Sequence, residues 1–176
     1  MREMPPLAER LSPDTVTRLE RAGHYRFISA DILRDQRQRL AALYFYGYSA
    51  EMWLSAAYYR SAGFKPYEHI DRDTRHRRMV QARQLRLESG VFLMNSDPHP
   101  LVGWARFLEW QRSLSGALAV PDAQRLREAV NKAIEIYKYW RPELRYKVID
   151  ITDGQLASVR RDVAWLKDNH EKLSEG

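Results

Sequence analysis

The chain has 176 residues and no cysteine. That absence excludes a disulfide framework, zinc sites built on thiolates, cysteine-ligated iron–sulfur clusters and a cysteine nucleophile. Glycine is scarce and scattered. Gly23, Gly47, Gly63, Gly90, Gly103, Gly116, Gly154 and Gly176 stand alone. Neither a phosphate-cradling loop nor a dinucleotide fingerprint can be assembled from them, and no G-x-S-x-G elbow is present. No Asn-Gly or Asp-Gly hairpin and no sustained alternation of apolar and polar residues is found, so the pattern does not read as a sheet. The first ten residues, MREMPPLAER, lack the apolar run of a signal peptide.

Lysine is also short: six of the 29 basic residues are lysine and the rest are arginine. Arginine suits bidentate recognition of phosphate and carboxylate. The formal net charge is +6. Most of it falls in one place. Between Arg72 and Arg86 stand Arg72, Arg75, Arg77, Arg78, Arg83 and Arg86 against the single acid Asp73, a local excess of five. Such a segment can hold a polyanion by releasing its counterions; it can equally be a solvated helix face whose acidic partners lie on a neighbouring element. Arg72, Arg75, Arg77, Arg78 and Arg83 are the candidate anion contacts.

Helical spacing dominates the remainder. Ser12-Pro13 reads as a cap and first turn, with Val16 and Leu19 following and Gly23 ending or bending that helix. A second stretch covers about 26–37. Residues 40–59, LAALYFYGYSAEMWLSAAYY, hold one charge, Glu51. Their length would suit a membrane span, but the carboxylate and the five tyrosines point to the central helix of a bundle. Further helices are expected at about 71–88, 101–114 and 122–139. A short extended link over 147–151 and a Thr152–Gln155 capping box then open a last helix to about 169. The expected fold class is all-α, one domain of six to seven helices in an up-and-down bundle. Its core spans about 15–168, with tails at 1–11 and 170–176.

Chemistry-bearing residues are sparse. His69 and His76 flank Asp71 and Asp73, but H-x-D-x-D-x-x-H matches no metal-ligand spacing and arginines crowd it. No metal and no cofactor is expected. Glu51 is costly to bury alone and needs a cation or a raised pKa. Arg145 is the expected partner in a structural ion pair, and an acid–base role is the alternative. The aromatic run Tyr44, Phe45, Tyr46, Tyr48, Trp53, Tyr58 and Tyr59 reads as core and dimer contact before it reads as a base-stacking platform.

Two stretches resemble HEPN-domain proteins. In AALYFYGYSAEMWLSAAYYR, Gly47-Tyr48, Glu51 and Leu54 match the family's second-helix signature, while Ser55 stands where lysine is usual. YKYWRPELRYK, with Trp140, Leu144, Arg145 and Tyr146, is similar to the W-x-x-x-L-R-Y stretch late in such domains. The resemblance implies an all-α homodimer acting on or around RNA or nucleotides, in toxin–antitoxin or defence settings, in the cytoplasm and without a membrane. Catalytic members carry an arginine, four to six intervening residues and then a histidine, late in the domain. Of the five histidines, only His24 has such an arginine, Arg18. That pair precedes the Gly-Tyr helix and has Leu19 where a polar residue is common. The expectation is therefore a noncatalytic HEPN-like protein that binds RNA, a nucleotide or a protein partner. A metal-independent endoribonuclease using Arg18 and His24, and a pure protein-interaction bundle, are the alternatives.

Overall fold

Thr15 opens helix α1 (Val16–Asp35) by accepting the Arg18 N–H on its hydroxyl at 3.2 Å. The computed structural model describes residues 15–175, apart from 88, 98, 115, 117, 148 and 149 and the side chain of Arg145. The Ser12–Pro13 helix start and the tail over 1–11 lie outside the described residues. Val16, Leu19, Gly23, Phe27 and Ala30 form the buried stripe of α1. The helix runs through Gly23, contrary to the break expected there. The cause is tertiary. A Cβ at Gly23 would stand 2.9 Å from Trp53 Nε1, and the Gly23 carbonyl accepts the Ser49 hydroxyl at 2.5 Å. Glycine is there for close approach, not for a turn. The turn comes later, at Arg37, whose φ is 62°.

Helix α2 (Arg39–Ser61) is the axis of the molecule. It packs against α1 and against all the helices downstream of residue 100. Its burial extends round most of its circumference, from Ala42, Tyr46 and Ala50 to Leu54, Tyr58 and Tyr59. This is the pattern expected of a bundle centre. Tyr58 stacks on Phe107 at 4.4 Å between ring centroids, and Tyr59 meets Trp104 at 5.7 Å. Burial pushes the Tyr58 hydroxyl pKa up to about 12.

Helix α3 (Arg72–Gln84) carries the arginine-rich segment and buries only Ala82. Asp71 caps it, accepting the Thr74 N–H at 2.7 Å. It stops at Gln84, short of the expected 88. Leu85 turns extended so that Arg86 pairs with Phe92 in an isolated antiparallel bridge, and the Arg86 guanidinium lies 4.2 Å above the Phe92 ring. Helix α4 (Leu101–Leu114) buries Trp104, Phe107 and Leu108. Helix α5 (Val120–Tyr139) starts two residues before Asp122, with Pro121 in its first turn. Its buried stripe is Leu126, Ala129, Ala133 and Ile136. A 3₁₀ turn over Pro142–Tyr146 follows. Helix α6 (Asp153–Ser174) begins with the full Thr152–Gln155 capping box. It outlasts the expected end near 169 because Leu173 is still buried. Among the described residues the fold is all-α, six helices and no strand.

Candidate functional site

Helix α1 carries Arg18, Ala22 and Arg26 at intervals of four, so they share a face. Helix α2 does the same with Tyr48, Glu51, Met52 and Ser55, spaced three, four and seven from the first. The two faces meet, Arg75 enters from α3, and His99 enters from the loop before α4. Together they enclose a cavity of about 350 Å³. That is the small end of the range for ligand sites, about 300–1,000 Å³.

His99 and Glu51 form the core of the site. His99 Nδ1 lies 3.0 Å from Glu51 Oε2. The Glu51 side chain is 6% exposed and that of His99 is 31%. The hydrogen bond to Glu51 holds the imidazole pKa above its usual value of 6.5. Burial works against this, Asp97 adds to it, and Arg75 opposes it. With Nδ1 engaged by Glu51, Nε2 is the ring nitrogen on the other side, 3.5 Å from the Tyr48 hydroxyl. Tyr48 also meets the His99 ring edge-on at 5.0 Å and Trp140 at 5.3 Å. Glu51 Oε1 is buried and has no hydrogen-bond partner among the described residues.

The loop that presents His99 is held from several sides. Its own N–H donates to Asp97 Oδ1 at 3.0 Å, and the Tyr137 hydroxyl of α5 donates to Asp97 Oδ2. Arg83 of α3 donates to the carbonyls of Asn95 and Asp97 at 3.1 and 3.5 Å. A histidine fixed this way is pre-organised for a ligand.

The structure disperses the residues singled out from sequence. Arg75 lines the cavity and Arg83 braces the His99 loop. Arg77 donates to the Thr74 hydroxyl and Arg78 to Gln81 Oε1, each at 3.2 Å. Arg72 and Arg77 are exposed. Arg18 lines the cavity, whereas His24 lines a separate one of about 340 Å³ beside Trp53 and His170. A separation of six residues rotates the two side chains by about 120° on a helix. Glu51 takes its hydrogen bond from His99. Arg145 sits in the 3₁₀ turn, and its side chain lies outside the described residues. His99 had no helical pattern to mark it. The signal present was N-S-D-P-H-P, an Asx turn with flanking prolines directly before a helix.

Among the described residues no group of three or more His, Asp or Glu is placed to hold a metal, and no helix is long and apolar enough to cross a membrane. The class defined is an all-α bundle enclosing an arginine-lined cavity with a histidine–carboxylate pair. No protein-family model, curated protein or solved structure matches the chain.

Proposed function

We propose that the chain is a HEPN-like helical protein that binds a phosphate-bearing ligand, a nucleotide or RNA, in the cavity between α1, α2 and α3. One observation carries the reading: Arg18, Arg26 and Arg75, brought from two separate helices, line the same small cavity as His99. Guanidinium and imidazolium groups converging on one concave site are the usual donors for phosphate oxygens. The HEPN resemblance agrees with the all-α bundle and adds a homodimer in the cytoplasm, in a toxin–antitoxin or defence setting. Light scattering on the purified protein tests the dimer.

The binding test is titration of labelled single-stranded RNA and of mononucleotide at several salt concentrations. Single-strand binding is expected to weaken with a log–log slope of about −0.7 per phosphate contact. Arg75→Ala is expected to cost about tenfold in affinity and to remove roughly one contact from that slope. Salt-independent binding, or binding untouched by Arg75→Ala, overturns the reading.

A second reading, metal-independent cleavage of RNA, draws on a different observation. His99 Nε2 is an acid–base group beside arginines, oriented by a carboxylate. On that reading cleavage persists in EDTA, drops about a hundredfold or more in His99→Ala, and is unchanged in His24→Ala. Binding without cleavage leaves the noncatalytic reading standing.

A further inference from the structure

Glu51 has one oxygen engaged and one idle. Oε2 holds His99 Nδ1, while Oε1 is buried with no hydrogen-bond partner among the described residues. Around them the groups facing the imidazole are Arg18 and Arg26 from α1, Tyr48 and Glu51 from α2, Arg75 from α3, and Asp97 in its own loop. With His99 charged, three guanidiniums and one imidazolium stand against the carboxylates of Glu51 and Asp97, a net of two positive charges.

We propose that this cavity recognises a terminal phosphate monoester as its dianion, with His99 in its charged form completing the cationic shell. The inference rests on the reading of the cavity as a phosphate site and adds which phosphate it takes. An internal phosphodiester offers one negative charge, whereas a monoester near neutral pH offers close to two. A strongly positive, half-enclosed site separates the two by Coulomb energy. Size points the same way: about 350 Å³ holds one phosphate with the adjoining sugar, not a run of stacked nucleotides. The Glu51 carboxylate repels phosphate oxygens and keeps them on the arginine side.

The proposal gives a pH signature. The monoester loses its second proton near pH 6, so affinity rises through that range. It falls again where His99 loses its proton, above the ordinary histidine value because Glu51 holds the charged form. The experiment is calorimetric titration of the full chain from pH 5 to 9 with adenosine 5′-monophosphate, 3′,5′-cyclic adenosine monophosphate, adenosine and inorganic phosphate. Short RNA with a 5′-phosphate or a 5′-hydroxyl is run beside them to separate a free nucleotide from an RNA end. The monophosphate is expected to bind about tenfold tighter than the cyclic diester at pH 6.5, tighter than inorganic phosphate, and with a bell-shaped profile. Whichever source the site uses, the phosphorylated form wins. His99→Gln removes the falling limb and leaves the rising one. Glu51→Gln moves the falling limb to lower pH, and thermal melts check that both variants fold. Should Glu51→Gln fail to fold, His99→Gln alone decides. Equal affinity for monoester and diester, or a falling limb that survives in His99→Gln, overturns the proposal. Binding of 5′-hydroxyl RNA with no preference for a terminal phosphate overturns it too, while sparing the phosphate-site reading. Absence of binding by every probe removes both.

Discussion

Gly47→Ala is expected to lower the thermal midpoint by about 6 °C, since the net loss is about 2 kcal/mol and each kcal/mol moves a chain of this size by roughly 2–4 °C. Two effects oppose each other. Alanine is the better helix former, worth about 1 kcal/mol over glycine in a helix interior. Against that, a Cβ at position 47 would overlap the five-membered ring of Trp140. The indole cannot step aside. It is fully buried, its Nε1 donates to the Tyr44 carbonyl at 3.1 Å, and its ring forms a T-shaped pair with Tyr48 at 5.3 Å. Overpacking of a fixed ring costs about 1–3 kcal/mol and sometimes more, so the clash wins. Trp140→Ala is expected to cost about 3–5 kcal/mol through the cavity it leaves, a large share of the total of about 5–15. The two substitutions should not add. With the indole gone the new methyl has room, so the double variant is expected within about 1 kcal/mol of Trp140→Ala alone. Additive losses in urea melts would mean that Gly47 and Trp140 do not meet. Tyr48 contacts both Trp140 and His99, so Gly47→Ala also tests whether packing below the cavity controls the site.

The bundle was readable because its helices announce themselves locally. The stripe Leu156, Val159, Val163 and Leu166 recurs at three and four, the Thr152–Gln155 box fixes where it starts, and a twenty-residue run with one charge has no stable place except the centre. What was not readable depended on contacts distant in sequence. Gly23 carries the local signature of a helix end. It is interior only because Trp53, thirty residues on, lies against it. The helix through the arginine segment ends earlier than its local pattern implies for the same kind of reason: Leu85 leaves it so that Arg86 can pair with Phe92. The site was half legible. Glu51 declared itself as a carboxylate that must find a partner. His99, which provides the hydrogen bond, sits in a loop where no periodicity points. Arginine density marked α3 as a whole, but not that Arg75 alone among its arginines would line the cavity while Arg83 steadied a loop.

Asp31→Ala is expected to cost about 3 kcal/mol, and its origin can be assigned to one atom. Asp31 on α1 receives Arg160 of α6 through two hydrogen bonds at 2.7 and 3.0 Å, the Tyr46 hydroxyl of α2 at 2.5 Å, and Arg34 at 3.2 Å. It thereby ties three helices together. Removing the carboxylate strands all three donors, but unequally. The Arg160 and Arg34 side chains are 36% and 33% exposed and can turn to water, where lost ion pairs matter little. Tyr46 has no exposure at all, so its hydroxyl keeps the full penalty of a buried group without a partner, about 1–3 kcal/mol. Tyr46→Phe alone should cost only about 1 kcal/mol, because Asp31 retains its arginines. Adding it to Asp31→Ala should restore part of the loss, since the stranded hydroxyl is gone. The same carboxylate sets an acid limit. Burial pushes its pKa up, but the hydrogen bonds from Arg160 and Tyr46 and the nearby guanidiniums outweigh burial and hold it below 3.8. A carboxylate depressed on folding stabilises the native state above its unfolded pKa. That contribution fades as pH falls through the folded value. Wild type should therefore lose stability as pH falls below about 4 more steeply than Asp31→Asn, which has no proton to take up there. Parallel acid unfolding curves for the two proteins would show that Asp31 does not carry the pin between α1, α2 and α6.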